Sequence, residues 1–141
     1  MKPVEIRSFR IADLDAARRL WDGSEGLGVG PGDSSAAMGR FLSRNPGLSL
    51  AAFDGWSLAG AVLCGHDGRR GYIYRLAVAR EYRRGGLAAE LVRRCLSGLK
   101  GEGIERCLAL VQEDNAGGRE FWSAVGGRFR ADLVAFSMDI P

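Results

Sequence analysis

The feature that most constrains this chain is a strand, a turn and a helix in direct succession within residues 71–98, GYIYRLAVAREYRRGGLAAELVRRCLSG. Residues 72–78 are aromatic, aliphatic and β-branched, which predicts a buried strand. Beyond them, apolar residues recur at steps of three and four, which predicts an amphipathic helix. That stripe consists of Leu87, Leu91, Val92, Cys95, Leu96 and Leu99. A glycine- and arginine-rich turn, residues 83–88, must therefore join a core strand to a core helix.

This turn is suited to bind an anion. The first amides of a helix have no carbonyl partner inside it, and the helix dipole leaves about half a positive charge at that end. Gly85, Gly86 and Ala88 leave the backbone accessible, while Arg83 and Arg84 add positive charge. A surface turn with solvated arginines is the alternative. Because a strand precedes the turn and an amphipathic helix follows it, we favour a phosphate site.

The same turn resembles motif A of the GCN5-related N-acetyltransferases, whose pattern is Gln/Arg-x-x-Gly-x-Gly/Ala. Arg83, Gly86 and Ala88 occupy its three specified positions, and the family-like order continues over about residues 6–136. The resemblance implies that acetyl-CoA is the cofactor and that its pyrophosphate binds here. It also implies a set of cofactor-binding residues: Leu76, Ala77, Val78, Arg83, Arg84, Gly85, Gly86, Leu87, Ala88, Ala89 and Asn115.

Length and composition limit the function classes. The chain has 141 residues, for which we predict a single domain over residues 1–141. Hydrophobic residues make up 46% and charged residues 26%, a balance that argues against disorder. The net charge of +3 is mild and its arginines are dispersed among acidic residues, so we expect no nucleic-acid partner.

The cysteines and the absence of a targeting segment indicate the compartment. Cys64, Cys95 and Cys107 lack metal-ligand spacing and lie in apolar patterns, so we expect reduced, buried thiols and no metal site. No signal-peptide core and no run of eighteen apolar residues is present. We therefore expect a cytoplasmic protein without a membrane partner.

A strand and two helices are expected before the centre of the chain. Residues 4–10 alternate as a half-buried strand, and Asp13 is expected to cap a helix that ends at Gly23. The glycine-rich residues 23–33 form either a substrate lid or a plain connector. Ser34 or Ser35 is expected to cap a second helix, with Met38, Phe41 and Leu42 as its apolar stripe, that stops before Pro46.

The remaining patterns predict mostly strands. Residues 48–53 and 58–65 predict a hairpin, and a turn at residues 67–71 leads into the central strand. His66, the only histidine, is expected at a strand end in a structural or surface role rather than on a metal. After the central helix, residues 107–111 predict a strand. A short helix over residues 118–125, capped by Asn115, and a last strand over residues 129–140 complete the chain.

The resulting order, β-α-α-β-β-β-α-β-α-β, resembles that of the N-acetyltransferases. The resemblance implies an α/β (α+β) fold with a mixed, mostly antiparallel sheet and helices on both faces. A Rossmann-like fold also contains a central strand, turn and helix. The Gly-x-Gly-x-x-Gly pattern is absent after the first strand, which argues against that fold.

The side chains that some relatives use for proton transfer are absent. Relatives that modify protein N-termini carry a glutamate where Leu110 stands, and histone-modifying relatives carry one where Tyr72 stands. A tyrosine that many members use as general acid aligns with Trp122, whose indole cannot supply a proton. The resemblance therefore implies acetyl transfer but leaves the acid and the base open.

Attack on a thioester requires a neutral amine, and three alternatives remain. Water chains to Glu113 or Asp114 could remove the proton while Tyr72 or Tyr74 protonates the leaving thiolate, so Glu113, Tyr72 and Tyr74 are the candidate catalytic residues. Positioning alone could suffice, with the backbone N–H of Leu76 and its neighbours at the thioester carbonyl. Thirdly, the chain could be a catalytically degenerate acyl-CoA-binding or regulatory module.

The acceptor is expected to be a primary amine on a small molecule or on a protein. Asp22, Glu25 and Asp33 around the glycine-rich loop, with the acids after the fifth strand, would suit a cationic amine if they line one cleft. The sequence leaves the oligomeric state open, and a homodimer is one option.

Overall fold

A computed structural model of the chain describes residues 3–22 and 30–141. The predicted end of the first helix at Gly23, most of the glycine-rich loop and Glu25 lie outside the described residues. The structure divides into two compact units, Met1–Leu110 and Val111–Pro141. The prediction of one domain stays a prediction.

The first unit contains all the strands found in the described residues. Its elements are β1 (Glu5–Ser8), a 3-10 turn (Ile11–Asp13), α1 (Leu14–Asp22), α2 (Ser35–Arg44), β2 (Leu50–Asp54), β3 (Ser57–His66), β4 (Gly71–Val78), a second 3-10 turn (Arg80–Tyr82), α3 (Leu87–Gly101) and β5 (Cys107–Ala109). The second unit contains α4 (Ala116–Ala124).

The five strands form one sheet in the order β1-β2-β3-β4-β5. The first three pairings are antiparallel, and only β4 and β5 run parallel. Sequential antiparallel strands can be joined by short turns, whereas the parallel pair needs a crossover, which α3 provides. The predicted fold class, a mixed and mostly antiparallel sheet with helices, is confirmed.

Helices cover both faces of this sheet. On one face, Ala61 of β3 and Ala77 of β4 belong to a buried cluster with Leu14, Ala17 and Trp21 of α1. On the other face, α3 lies so close that a Cβ added to Gly60 would come within 3.3 Å of Leu87 and Leu91. A Cβ added to Gly71 would lie 2.6 Å from Leu99. Glycines in β3 and β4 therefore allow the close approach of α3.

Two of the three predicted helix caps are confirmed. The Ser34 hydroxyl accepts a 3.1 Å hydrogen bond from the Ala37 amide at the start of α2. The Asn115 side chain accepts a 2.9 Å bond from the Gly118 amide at the start of α4. Asp13 does not cap α1, because a 3-10 turn precedes that helix and already includes this residue.

Asp13 instead joins β1 to the turn that precedes α1. Its carboxylate accepts bonds of 2.9 Å from both terminal nitrogens of Arg7 and of 2.8 Å from the Arg10 amide. Burial acts to raise the pKa of Asp13, but these hydrogen bonds outweigh it and hold the pKa below its usual value. The buried carboxylate is therefore ionised and paired.

The predicted last strand over residues 129–140 is wrong. The structure has no strand there, and its large apolar side chains are exposed: Phe129, Leu133, Val134, Phe136, Met138 and Ile140. Alternating apolar residues form a strand only when a neighbouring strand satisfies their backbone, and no described strand pairs with this segment.

Three smaller predictions also need correction. Leu96, assigned to the buried stripe of α3, is 43% exposed, whereas the other members of that stripe are buried. The predicted strand over residues 107–111 stops at Ala109, since only its first residues pair with β4. The helix predicted over residues 118–125 begins two residues earlier, directly after its Asn115 cap.

Candidate functional site

The C-terminal half of β4 has one open edge. β4 pairs with β5 only from Gly71 to Ile73, where Gly71 is opposite Cys107 and Ile73 opposite Ala109. From Tyr74 to Val78, β4 pairs with β3 on one side, and no described strand pairs with its other side. The backbone groups on that side are therefore available to another partner.

A β-bulge at Arg75 changes which amides of β4 face the open edge. The Gly71 amide donates to the Arg106 carbonyl on the β5 side at 2.8 Å, whereas the Ala79 amide donates to Ala59 on the β3 side at 2.8 Å. In a regular strand, amides an even number of residues apart point the same way. Arg75 has a φ of 55°, and the pairing register shifts opposite it. Beyond the bulge, the amides of Leu76 and Val78 consequently point away from β3.

The chain then turns through residues 79–86 into α3, and side-chain bonds hold this turn at both ends. The Arg83 Nε donates to the Val78 carbonyl at 3.0 Å, and the Tyr82 hydroxyl donates to the Asp54 carboxylate at 2.5 Å. The bond to Asp54 raises the pKa of Tyr82, so the phenol stays protonated and remains a donor. The turn is therefore fixed to both the end of β4 and the β2–β3 hairpin.

Six consecutive amides at the end of this turn lack a backbone acceptor. The first backbone bond of α3 joins the Glu90 amide to the Gly86 carbonyl at 3.0 Å. Within the described chain, none of the amides of residues 84–89 donates to another backbone group. Arg84 and Gly86 both have positive φ, 66° and 83°, and a Cβ added to Gly86 would meet no atom within 4 Å. The helix N-terminus thus presents free donors to open space.

The charges around this helix end are predominantly positive. Glu90 is the one acidic residue in the first turn of α3, and Arg93 and Arg94 bind its carboxylate at 2.6–2.9 Å. Hydrogen bonds from Arg93 and then Arg94 lower the pKa of Glu90 to about 2. Its negative charge is therefore compensated, while Arg84 makes no ion pair in the part of the chain that is described. This arrangement can attract a polyanion such as a diphosphate.

The two candidate tyrosines lie side by side on the face of the sheet that α2 covers. The rings of Tyr72 and Tyr74 stack at 5.9 Å, and Tyr74 meets Phe41 of α2 edge-on at 6.1 Å. Burial, followed by the effect of Tyr72, raises the pKa of Tyr74. At neutral pH the Tyr74 phenol is therefore protonated, which suits a proton donor and not a base. Tyr74 directly precedes the bulge.

The other residues singled out in the sequence lie in the second unit or, for Leu110, at the end of the first. Asn115 caps α4 with its side-chain oxygen. Glu113 is exposed, and its backbone carbonyl accepts a 3.4 Å bond from Arg119. Trp122 packs edge-on against Phe121 with ring centroids 5.2 Å apart. Leu110, the last residue of the first unit, is 76% exposed and offers no titratable group.

Of the acidic residues proposed for a cationic acceptor, Asp33 is already paired. The Asp33 carboxylate accepts a 2.6 Å bond from Arg75 and a 2.7 Å bond from the Gly30 amide. The negative charge of Asp33 is therefore already compensated by Arg75. Sequence reasoning missed Arg75, although an arginine in the middle of an apolar strand was a signal for it.

His66 lies at the end of β3, where the sequence predicted a structural or surface role for it, and its side chain is half-buried. Its Nδ1 accepts a 3.0 Å bond from the Gly68 amide, and its Nε2 lies 3.4 Å from Glu102. Among the described residues, no group of three or more His, Cys, Asp or Glu side chains could hold a metal ion. None of the described helices combines the length and apolarity needed to span a bilayer.

Comparisons with known proteins agree with this architecture. The profile of the Acetyltransferase (GNAT) family matches residues 14–126. A Photorhabdus laumondii protein described as an acetyltransferase is 34% identical over 112 residues, which cover 79% of this chain and 78% of the relative. A Pectobacterium atrosepticum protein described as an acetyltransferase is also 34% identical, with 79% of each chain covered.

Solved structures show the same fold. Ard1 from Thermoplasma volcanium superposes with a TM-score of 0.76 at 19% identity, over 87% of this chain and 81% of that chain. An aminoglycoside acetyltransferase from an uncultured soil metagenomic sample, in complex with sisomicin, gives 0.74 at 16% identity over 98% and 97%. PaiA N-acetyltransferase from Thermoplasma acidophilum, in complex with coenzyme A, gives 0.72 at 22% identity over 88% and 89%. The chain therefore belongs to the GNAT family of acetyltransferases.

Proposed function

We propose that this protein is an acetyl-CoA-dependent N-acetyltransferase that moves an acetyl group to a primary amine by direct attack on the thioester. The observation that carries the proposal is the row of unpartnered amides at residues 84–89, in the turn and helix start that follow the open end of β4. Two further findings support the proposal: the chain belongs to an acetyltransferase family, and the similar PaiA structure was crystallised with coenzyme A.

The cofactor is proposed to bind along the two sets of free backbone donors. Amides of residues 84–89 hold the pyrophosphate, with the arginines at 83 and 84 supplying charge. The amides of Leu76 and Val78, which point to the open edge, bind the pantetheine amides and the thioester carbonyl. Leu87 is buried and fixes the helix start, and Asn115 is proposed to contact the cofactor arm.

The chemical step needs a donor for the oxyanion and two proton movements. The neutral amine nitrogen attacks the thioester carbon, the carbonyl oxygen takes up negative charge at the Leu76 amide, and the carbon–sulfur bond then breaks. We assign the amine proton to Glu113 through water. The thiolate takes its proton from Tyr74, whose raised pKa keeps it protonated, or from its stacked neighbour Tyr72.

The acceptor is proposed to be either a small-molecule amine or a protein amine. The neighbour solved with sisomicin illustrates the first class. We further propose a single cytoplasmic domain, without nucleic-acid or membrane partners and with a homodimer as one assembly option. Three free cysteines, two of them buried, are consistent with a reducing compartment.

The second candidate function is a catalytically degenerate acyl-CoA-binding or regulatory module of the same fold. The observations that favour it are Leu110, which has no titratable group, and Trp122, which packs against Phe121. Both functions predict binding of coenzyme A, so binding alone does not separate them.

The test is thiol release from acetyl-CoA across a panel of amines. The panel includes polyamines, amino sugars and peptides with a free N-terminus or lysine. N-Acetyltransferase activity predicts amine-dependent release that Arg84→Glu and Gly86→Glu greatly reduce. If calorimetry shows that coenzyme A binds but no amine causes thiol release, the result would favour the module instead. Absence of coenzyme A binding would refute both.

A further inference from the structure

Arg75 has an unusual backbone conformation for its position in the sheet. It lies within β4, and its φ of 55° is in the left-handed region that residues with a Cβ disfavour. Glycine adopts this conformation without the same penalty. An arginine in this conformation needs contacts elsewhere that offset the backbone cost.

The side chain of Arg75 is firmly tied to the segment before α2. Its Nη2 bonds the Asp33 carboxylate at 2.6 Å, and the two side chains are only 18% and 19% exposed. The guanidinium also lies 5.8 Å from the centre of the Trp21 ring. A partly buried, charge-assisted bond of this kind is stronger than an exposed ion pair.

Asp33 is itself held from two further directions. Its carboxylate accepts a 2.7 Å bond from the Gly30 amide, and its backbone carbonyl accepts a 2.7 Å bond from Arg18 of α1. The following residue, Ser34, caps α2. Arg75 is therefore anchored to an aspartate that is itself bonded to α1 and lies next to the cap of α2.

We propose that Arg75 and Asp33 are positioning residues whose ion pair holds the β4 bulge and thereby aims the Leu76 amide at the thioester carbonyl. Because of the bulge, the Gly71 amide faces β5 whereas the Ala79 amide, eight residues later, faces β3. Without it, a one-residue slip would turn the Leu76 amide towards β3. This inference rests on the proposed function, in which that amide stabilises the oxyanion.

The test compares Arg75→Ala and Arg75→Gly with Arg75→Lys and with the partner variant Asp33→Ala. Arg69→Ala, which removes an exposed arginine from the β3–β4 turn, is the matched control. For each protein we would measure kcat, KM for acetyl-CoA, the affinity for coenzyme A and hydrogen exchange at the Ala77 amide. The Ala77 amide points towards β3 only while the bulge is in place.

We expect Arg75→Ala and Asp33→Ala to lower kcat by about tenfold or more, the scale of losing a charge-assisted hydrogen bond at an aligned site. Binding of coenzyme A should stay within about twofold of wild type, since the amides of residues 84–89 are untouched. Arg75→Gly should retain more kcat and more Ala77 protection than Arg75→Ala, because glycine relieves the left-handed backbone. Arg75→Lys should rescue part of the loss, and Arg69→Ala should match wild type.

Two results would overturn the inference. One is unchanged Ala77 exchange in Arg75→Ala. The other is a kcat for Arg75→Gly equal to or below that of Arg75→Ala. That result is expected if Arg75 contacts the acceptor directly or if it only stabilises the folded protein. If wild type transfers acetyl to no amine, the proposed function fails. The exchange data on Ala77 then still decide whether the ion pair holds the bulge.

Discussion

Replacing Gly86 by alanine tests the proposed phosphate site at its most exposed point. Gly86 has a φ of 83°, and an added Cβ would meet no protein atom within 4 Å. The only cost to folding is then backbone strain, about 1–2 kcal/mol for an L-residue in the left-handed region. For a chain of this size that corresponds to a fall in Tm of about 3–8 °C.

The effect on cofactor binding should be larger than this strain predicts. A methyl group on the open side of the turn would keep a phosphate oxygen from at least one of the free amides. Loss of one hydrogen bond to a charged group costs about 1.5–3 kcal/mol, or about 10- to 150-fold in Kd. Isothermal titration calorimetry with coenzyme A measures this change directly.

Gly103 provides a matched control at the other end of α3. Its φ is 79°, an added Cβ would also meet nothing within 4 Å, and its amide bonds the Lys100 carbonyl. Gly103→Ala should therefore lower Tm by a similar amount and leave the Kd for coenzyme A unchanged. Equal affinity in the two variants, or wild-type affinity in Gly86→Ala, would refute a phosphate site at this turn.

Three further predictions follow from the charges and the core. Arg84→Glu should weaken coenzyme A binding at least tenfold in low salt and by less at about 1 M salt, where the screening length is about 3 Å; calorimetry at two salt concentrations checks this. Leu91→Ala should lower the free energy of unfolding by about 2–5 kcal/mol in urea denaturation, because Leu91 lies on the face of α3 that packs on the sheet and is fully buried. The lowered pKa of Asp13 contributes stability above its usual pKa of 3.8 that is lost as the pH falls through its folded pKa. The difference in Tm between wild type and Arg7→Met should consequently be largest near pH 7 and shrink below about pH 4; a constant difference would contradict the pairing.

The central strand, turn and helix could be predicted from the sequence because each piece has a local signal. The apolar stripe of α3 follows helical periodicity, and Gly86 precedes its first residue. Ser34 and Asn115 are short polar residues immediately before a helix, so their caps were also readable. The proposal that the turn binds an anion could be made from these local features alone.

The parts that could not be predicted depend on distant residues. Whether residues 129–140 form a strand depends on a partner strand, which no local pattern reports. The bulge at Arg75 depends on the pairing with β3, and its bond to Asp33 joins residues far apart in the chain. The Arg7–Asp13 bond spans only six residues, but it depends on how the chain reverses after β1, which no local pattern reports.

The glycine contacts beneath α3 have a consequence for the thermodynamics of ligand capture. Because Gly60 and Gly71 let the helix lie against the strands at van der Waals distance, its N-terminal end has little freedom to rotate or slide. The donors there are aligned before a ligand arrives, so association requires little ordering of the protein. We therefore expect coenzyme A to bind without a slow conformational phase, with an association rate that falls as ionic strength rises.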